Sequence, residues 1–256
     1  MKTIFITGCS SGMGLTAAHF LKDLGFRVIT SCRKETDLLK LKEQGFEAVL
    51  LDLDNSESIK NASQEIKEIT QGKLYGLFNN AGFGVYGPLQ EISREQLERQ
   101  FSTNVFGLHE LTNYLLPLML AQGEGRIVQT SSVMGFIATP GRGAYAASKY
   151  AVEALSDALR LELHNTGIKI SLIEPGPITT SFSENVNQVN ENNHVKNPGI
   201  AAKFSLAPDD VMPYLKHAFT HKKPKIRYRI TMVSKSMWYA KRLLPSCWLD
   251  KILLIK

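Results

Sequence analysis

Cysteine is scarce in this chain. Cys9, Cys32 and Cys247 form an odd, scattered set of three. They suggest neither a disulfide framework nor a metal site, and they point to a reducing, cytoplasmic compartment. Long apolar runs are absent as well; none reaches the ~18 residues that a membrane-spanning helix needs. The apolar start is short too. Five residues separate Lys2 from Gly8, whereas the apolar core of an export signal takes roughly 7–15. No internal repeat, low-complexity tract or linker interrupts the 256 residues, so a single domain over 1–256 is expected. Acidic residues number 24 against 30 basic ones, a net charge of +6. Such a surplus attracts nucleic acid, membrane phosphate or an anionic cofactor. The basic residues gather late, in "HKKPKIRYRI" and "KRLLPSCWLDKILLIK". No nucleic-acid recognition motif accompanies them, and a solvated basic surface accounts for most.

What the chain does have is alternation. Apolar strands read as "TIFIT", "FRVITS", "EAVLLD", "LYGLFNN", "GRIVQTSS" and "KISLIEP". Helical patterns lie between them, among them Leu15 to Leu24, Ser56 to Thr70 and a long one from Arg94 to Leu120. This order predicts an α/β fold, a Rossmann-type doubly wound parallel sheet with helices on both faces. Residues 183–206 are different: polar, asparagine-rich and weakly periodic. That length without periodicity suggests a mobile loop, here a substrate loop.

"TGCSSGMG" sets Gly8, Gly12 and Gly14 between the first strand and a helix. Glycine permits a tight turn and close approach to a diphosphate, and a helix N-terminus offers unpaired N–H groups. The spacing is G-x-x-x-G-x-G, weak evidence alone. The second strand ends Ser31-Cys32-Arg33-Lys34, without the carboxylate that usually holds the ribose hydroxyls of NAD. A neutral Cys32 followed by Arg33 instead suits a ribose carrying a 2′-phosphate, hence NADP(H). Tyr145 and Lys149, in "GAYAASKYAVEAL", share one helix face at a spacing of four. A nearby ammonium is expected to lower the phenol's pKa toward the working range. Ser131 and Ser132 end a strand, "NNAG" (79–82) ends another, and Asn104 sits inside the long helical pattern, where its low propensity wants a reason.

Together these motifs resemble the short-chain dehydrogenase/reductase family from Thr3 to about Ser181. Within it the chain is similar to bacterial NADP-dependent aldehyde reductases, and also to hydroxysteroid and retinol dehydrogenases. The resemblance implies the following roles. Tyr145 is the general acid or base, Lys149 binds the nicotinamide ribose and tunes Tyr145, Ser132 hydrogen-bonds the substrate oxygen, and Asn104 supports a proton-relaying water. Gly8, Ser10, Ser11, Gly12, Met13 and Gly14 surround the diphosphate and adenosine ribose, with Arg33 and Lys34 at the 2′-phosphate. Asp52 and Leu53 hold the adenine edge, and Asn80, Ala81 and Gly82 lie beside the ribose. Pro175, Gly176 and Ile178 line the nicotinamide, and Thr180 touches the diphosphate. Met13 stands where many relatives carry isoleucine, a volume-conserving change.

Phe83, Val85, Tyr86, Met134, Phe136, Ile137, Phe182 and Val186 would surround the pocket and favour an apolar aldehyde, ketone or alcohol. A homo-oligomer is expected. A non-catalytic NADP-sensing regulator would keep the glycine turn without needing Asn104, Ser132, Tyr145 and Lys149, and the presence of all four argues against it. The tail, 232–256, mixes aromatic and leucine residues with lysine and arginine around Pro245. That composition suits peripheral membrane contact, and core packing, the substrate entrance and a second subunit compete for the same residues.

Overall fold

The computed structural model of the chain describes residues 1–180 and 204–254. Seven parallel strands form one sheet: β1 (Thr3–Ile6), β2 (Arg27–Cys32), β3 (Glu47–Leu50), β4 (Gly76–Asn79), β5 (Gly125–Thr130), β6 (Ile168–Glu174) and β7 (Arg227–Arg229). Their order is β3-β2-β1-β4-β5-β6-β7. The period of two along β1 sends Ile4 and Ile6 to one face and Phe5 to the other. On the first face they meet Ala17, Ala18 and Leu21 of α1 (Gly12–Asp23), Leu41 of α2 (Glu35–Glu43) and Leu215 and Phe219 of α7 (Met212–Thr220). On the second, Phe5 meets Ile59 and Ile66 of α3 (Ser56–Ile69) and Leu111, Leu115 and Met119 of α5 (Leu108–Gln122). A sheet buried on both faces explains why the strands read as continuous apolar runs.

The order reverses between β1 and β4. The crevice at their carboxyl ends is therefore where an open α/β sheet takes a ligand.

Two elements depart from the sequence reading. The long helical pattern is not one helix: α4 (Arg94–Phe101) passes through a π-helical turn, Ser102–Gly107, into α5. β7 lies inside the stretch read as basic surface. Lys222 and Lys223 are exposed, but Arg227 pairs with Glu153, Asp157 and Glu174, and Arg229 with the buried Glu174. Part of the positive surplus is thus spent inside the molecule.

The tail forms α8 (Met232–Leu243) and α9 (Ser246–Leu253), with Pro245 at the junction. Among the described residues no helix is long and apolar enough to cross a membrane.

Candidate active site

Six strand ends, those of β1 to β6, build the site. At the end of β1, Thr7 Oγ1 accepts hydrogen bonds from the N–H groups of Asn80 (3.0 Å) and Ala81 (2.9 Å). Asn80 Nδ2 donates back to the carbonyls of Thr7 and Gly8. Thr7, which opens the "TGCSSGMG" motif but was given no role in the sequence reading, so ties the glycine turn to the "NNAG" turn; its hydroxyl is entirely buried at the strand end.

Gly8 adopts φ +72°, and a Cβ there would stand 2.9 Å from Ala81 Cα. A Cβ on Gly14 would run into the Gly8 carbonyl. These contacts are why the motif needs its first and third glycines. Ser11 enters α1 in an extended conformation with no side-chain cap, and no acidic residue occupies the first turn. The N–H groups and positive dipole end of α1 are left for an anion. Thr180 lies over this turn, its Cβ 3.3 Å from where a Cβ on Gly12 would be. Ser10 and Ser11 are exposed and Gly12 and Met13 half-buried.

At the end of β2, Cys32 is only 3% exposed, and its thiol donates to the Lys34 carbonyl. Burial, followed by the Asp37 charge, pushes its pKa up to about 11, against the lowering effect of that bond. Cys32 is therefore neutral but turned inward. Arg33 and Lys34 are the exposed side chains here. After β3, the Asp52 carboxylate accepts the Asp54 N–H at 3.1 Å and Leu53 is buried.

Asn104 now has its reason. Placed by the π turn, its Oδ1 accepts from Phe83 N–H (3.1 Å), while Nδ2 donates to the Phe83 carbonyl (2.9 Å) and Ser148 Oγ (3.3 Å). π turns recur at functional sites. One turn earlier Gln100, fully buried, accepts from Val85 N–H and donates to the same Phe83 carbonyl. The two amides clamp loop 83–85, and Gln100 was missed; its i, i+4 relation to Asn104 is the trace it leaves in the sequence.

The catalytic candidates converge. α6 (Gly143–Glu162) carries Tyr145, Lys149 and Glu153 at successive turns, all buried. The Tyr145 and Ser132 hydroxyls are hydrogen-bonded to each other, and Ser132 Oγ also accepts from Met134 N–H at 3.1 Å. Lys149 Nζ donates to the Thr130 carbonyl at 2.7 Å and lies 5.7 Å from the Tyr145 ring centroid.

The charge effects correct one expectation. Burial above all, and then Tyr86, push the Tyr145 phenol well above its ordinary pKa; the Ser132 bond and the Arg142 charge oppose them. Lys149 is itself pushed down to about 8 by burial, with Glu153 pulling the other way. In this geometry the ammonium donates to the Thr130 carbonyl, and the net shift of the phenol is upward.

Pro175 accepts from Val133 N–H through its carbonyl, Gly176 N–H donates to Thr231 Oγ1 at 3.1 Å, and Ile178 bridges Leu206. Thr231, also missed, joins this turn to the tail. Beside Tyr145 lies an apolar cluster of Val133, Met134, Ile137 and Ala146, with Tyr86 and Phe136 against it. Phe83 is half-buried under the Arg99 guanidinium. Phe182, Val186 and most of the expected substrate loop (183–203) fall outside the described residues. Among the described residues no group of His, Cys, Asp or Glu is placed to hold a metal.

Comparison with known proteins agrees with this geometry. The profile of the short chain dehydrogenase family matches residues 2–191. The chain is 58% identical over 252 residues to oxidoreductase YbbO of Escherichia coli, covering 98% of this chain and 94% of the relative. It is 32% identical over 278 residues to human retinol dehydrogenase 5, covering 98% and 87%. Among solved structures, a short chain dehydrogenase/reductase from Burkholderia phymatum in complex with NAD is similar, with a TM-score of 0.81 and 26% identity over 94% of this chain and 92% of that one. The chain therefore belongs to the short-chain dehydrogenase/reductase family of oxidoreductases.

Proposed function

We propose that the protein is an NADP(H)-dependent oxidoreductase acting on an apolar aldehyde or ketone, or on the corresponding alcohol. The observation that carries this reading is the buried Tyr145–Ser132 hydroxyl pair, set in an apolar cluster one helical turn from Lys149. The cofactor fits the residues present: the glycine cradle has no room for a Cβ at Gly8 or Gly14, the α1 terminus is uncapped, and Arg33 and Lys34 stand exposed at the end of β2. Gly8, Ser10 to Gly14, Arg33, Lys34, Asp52, Leu53, Asn80 to Gly82, Pro175, Gly176, Ile178 and Thr180 would hold it. When bound, the cofactor would supply the hydride for reduction as NADPH and take it up in oxidation as NADP+.

The chain's own residues supply position and one proton. The hydroxyls of Ser132 and Tyr145 lie within hydrogen-bond reach of each other, and a carbonyl oxygen placed between them would accept from both as it gains negative charge. Burial holds Tyr145 in its protonated form near neutral pH, as reduction requires of a general acid. Lys149, with a pKa of about 8, carries the nearby positive charge over most of the neutral range. Asn104 and Gln100 keep loop 83–85 in place at the pocket edge.

The test is a screen of apolar aldehydes and ketones with NADPH and NADH, wild type against Tyr145→Phe. Wild-type turnover that falls by about 10²–10⁴ in the variant, with NADPH binding retained, is expected. A wild type that binds NADPH and turns nothing over would favour the NADP-sensing regulator. A homo-oligomer belongs to this reading; its support is the exposed Phe106, Tyr114, Leu155 and Leu161 on and beside α5 and α6. Peripheral membrane contact rests on the outward Tyr239, Leu243, Trp248 and Leu254 beside Lys235 and Lys251.

A further inference from the structure

The tail has an inner side. Met237 of α8 and Leu253 of α9 pack against the cluster that contains Tyr145, Met134 and Ile137. α8 is fastened at both ends. At its start, Thr231 caps the helix through Ser234 N–H (3.0 Å) and accepts from Gly176 N–H in the turn after β6. At its end, Lys241 Nζ donates to the Phe136 carbonyl and to Tyr150 Oη (2.6 Å), on the same helix as Tyr145 and Lys149. Between them, Arg229 lies over the Trp238 ring at 4.2 Å. Tyr239, Leu243 and Trp248 point away and are exposed, so the two faces of the tail have separate surroundings.

We infer that α8 and α9 form the outer wall of the substrate pocket, with Met237 and Leu253 as the side chains that set how long an apolar substrate can be. Lys241 is a positioning residue that holds this wall against α6. The inference rests on the proposed oxidoreductase reading and narrows its substrate to one whose apolar part extends from the carbonyl past Met134 to the tail. Thioether and branched aliphatic side chains offer that part no polar partner, so a sugar or a charged acid would lose hydration there without replacement.

The experiment measures kcat/KM for a series of straight-chain aldehydes of increasing length, together with calorimetric binding of 1-decanol in the presence of NADPH, with which the alcohol cannot react. Wild type, Met237→Trp, Met237→Ala, Leu253→Ala, Lys241→Met and Lys241→Arg are compared, with Met232→Ala, on the exposed side, as control. Met237→Trp should cut kcat/KM for long aldehydes about tenfold or more relative to short ones, the worth of one or two methylenes in such a pocket. Met237→Ala and Leu253→Ala should move the optimum to longer or bulkier substrates. Lys241→Met should raise KM several-fold with kcat nearly unchanged and speed hydrogen exchange over 237–253; Lys241→Arg should restore both. Melting curves identify any variant that fails to fold, and the alanine variants then decide. A wild-type length profile in every folded variant overturns the inference while leaving the oxidoreductase reading intact. If the wild type reduces nothing, the oxidoreductase reading falls, and decanol binding decides the wall: weakened binding in Met237→Trp upholds it, and equal binding refutes it.

Discussion

Lys149→Met should make the protein inactive and, near neutral pH, more stable. The lysine is 4% exposed, and burial moves its pKa from 10.5 to about 8. At 1.36 kcal/mol per unit, keeping it charged in the folded state costs about 3 kcal/mol once the pH is well below 8. The sign follows from proton counting: between pH 8 and 10.5 the unfolded chain binds more protons at this residue than the folded one, so stability rises with pH through that window and the cost vanishes above it. At pH 9.5 about 1–1.5 kcal/mol of the cost remains, so the pH-dependent part between pH 7 and 9.5 is about 2 kcal/mol. Methionine removes the charge but leaves the Thr130 carbonyl without its 2.7 Å donor, a constant loss of about 1–3 kcal/mol. The variant should be about 1 kcal/mol more stable than wild type at pH 7 and equal or less stable at pH 9.5. Urea unfolding of both proteins at both pH values gives the double difference, in which the titration of other groups largely cancels. A variant-minus-wild-type difference that stays the same at pH 7 and 9.5 would refute the argument, because the lysine would then be paying no desolvation cost.

Gly14→Ala should weaken NADPH binding by at least about tenfold and lower the melting temperature by several degrees, since its methyl meets the Gly8 carbonyl and stands 2.5 Å from Asn80 Nδ2; unchanged binding by calorimetry would mean the cradle lies elsewhere. Arg33→Leu should lower the NADPH-over-NADH ratio of kcat/KM about tenfold with no change in melting, because the side chain is exposed and has no partner among the described residues. Cys32→Asp, which would restore the carboxylate that usually ends this strand in NAD-binding folds, should instead destabilise the protein, because it buries a carboxylate at a 3% exposed site; a chemical denaturation midpoint equal to wild type would contradict this.

Six of the seven strands were legible in the sequence because each is a local apolar run between turn signals. Tyr145 and Lys149 were legible because four residues along a helix is itself a spatial statement. Gly8 and Gly14 were legible as a turn, though the reason for each, the nearby Ala81 backbone and Gly8 carbonyl, lies across the fold. β7 was hidden because its three residues, Arg-Tyr-Arg, carry the charges of a surface; the distant carboxylates Glu153, Asp157 and the buried Glu174, all more than fifty positions earlier, hold the two half-buried arginines in the sheet. The break in the long helix was hidden because a π turn changes hydrogen bonds and not composition. The direction of the Tyr145 shift went the other way because spacing reports a neighbour and burial reports the solvent that is missing, and here burial is the larger effect. Met237 and Leu253 reach the Tyr145 cluster from about a hundred residues away along the chain. Local pattern specified the strands, the glycine turn and the helix that carries Tyr145 and Lys149; long-range packing alone decided which charges are buried, which way the tyrosine pKa moves and which tail residues reach its cluster.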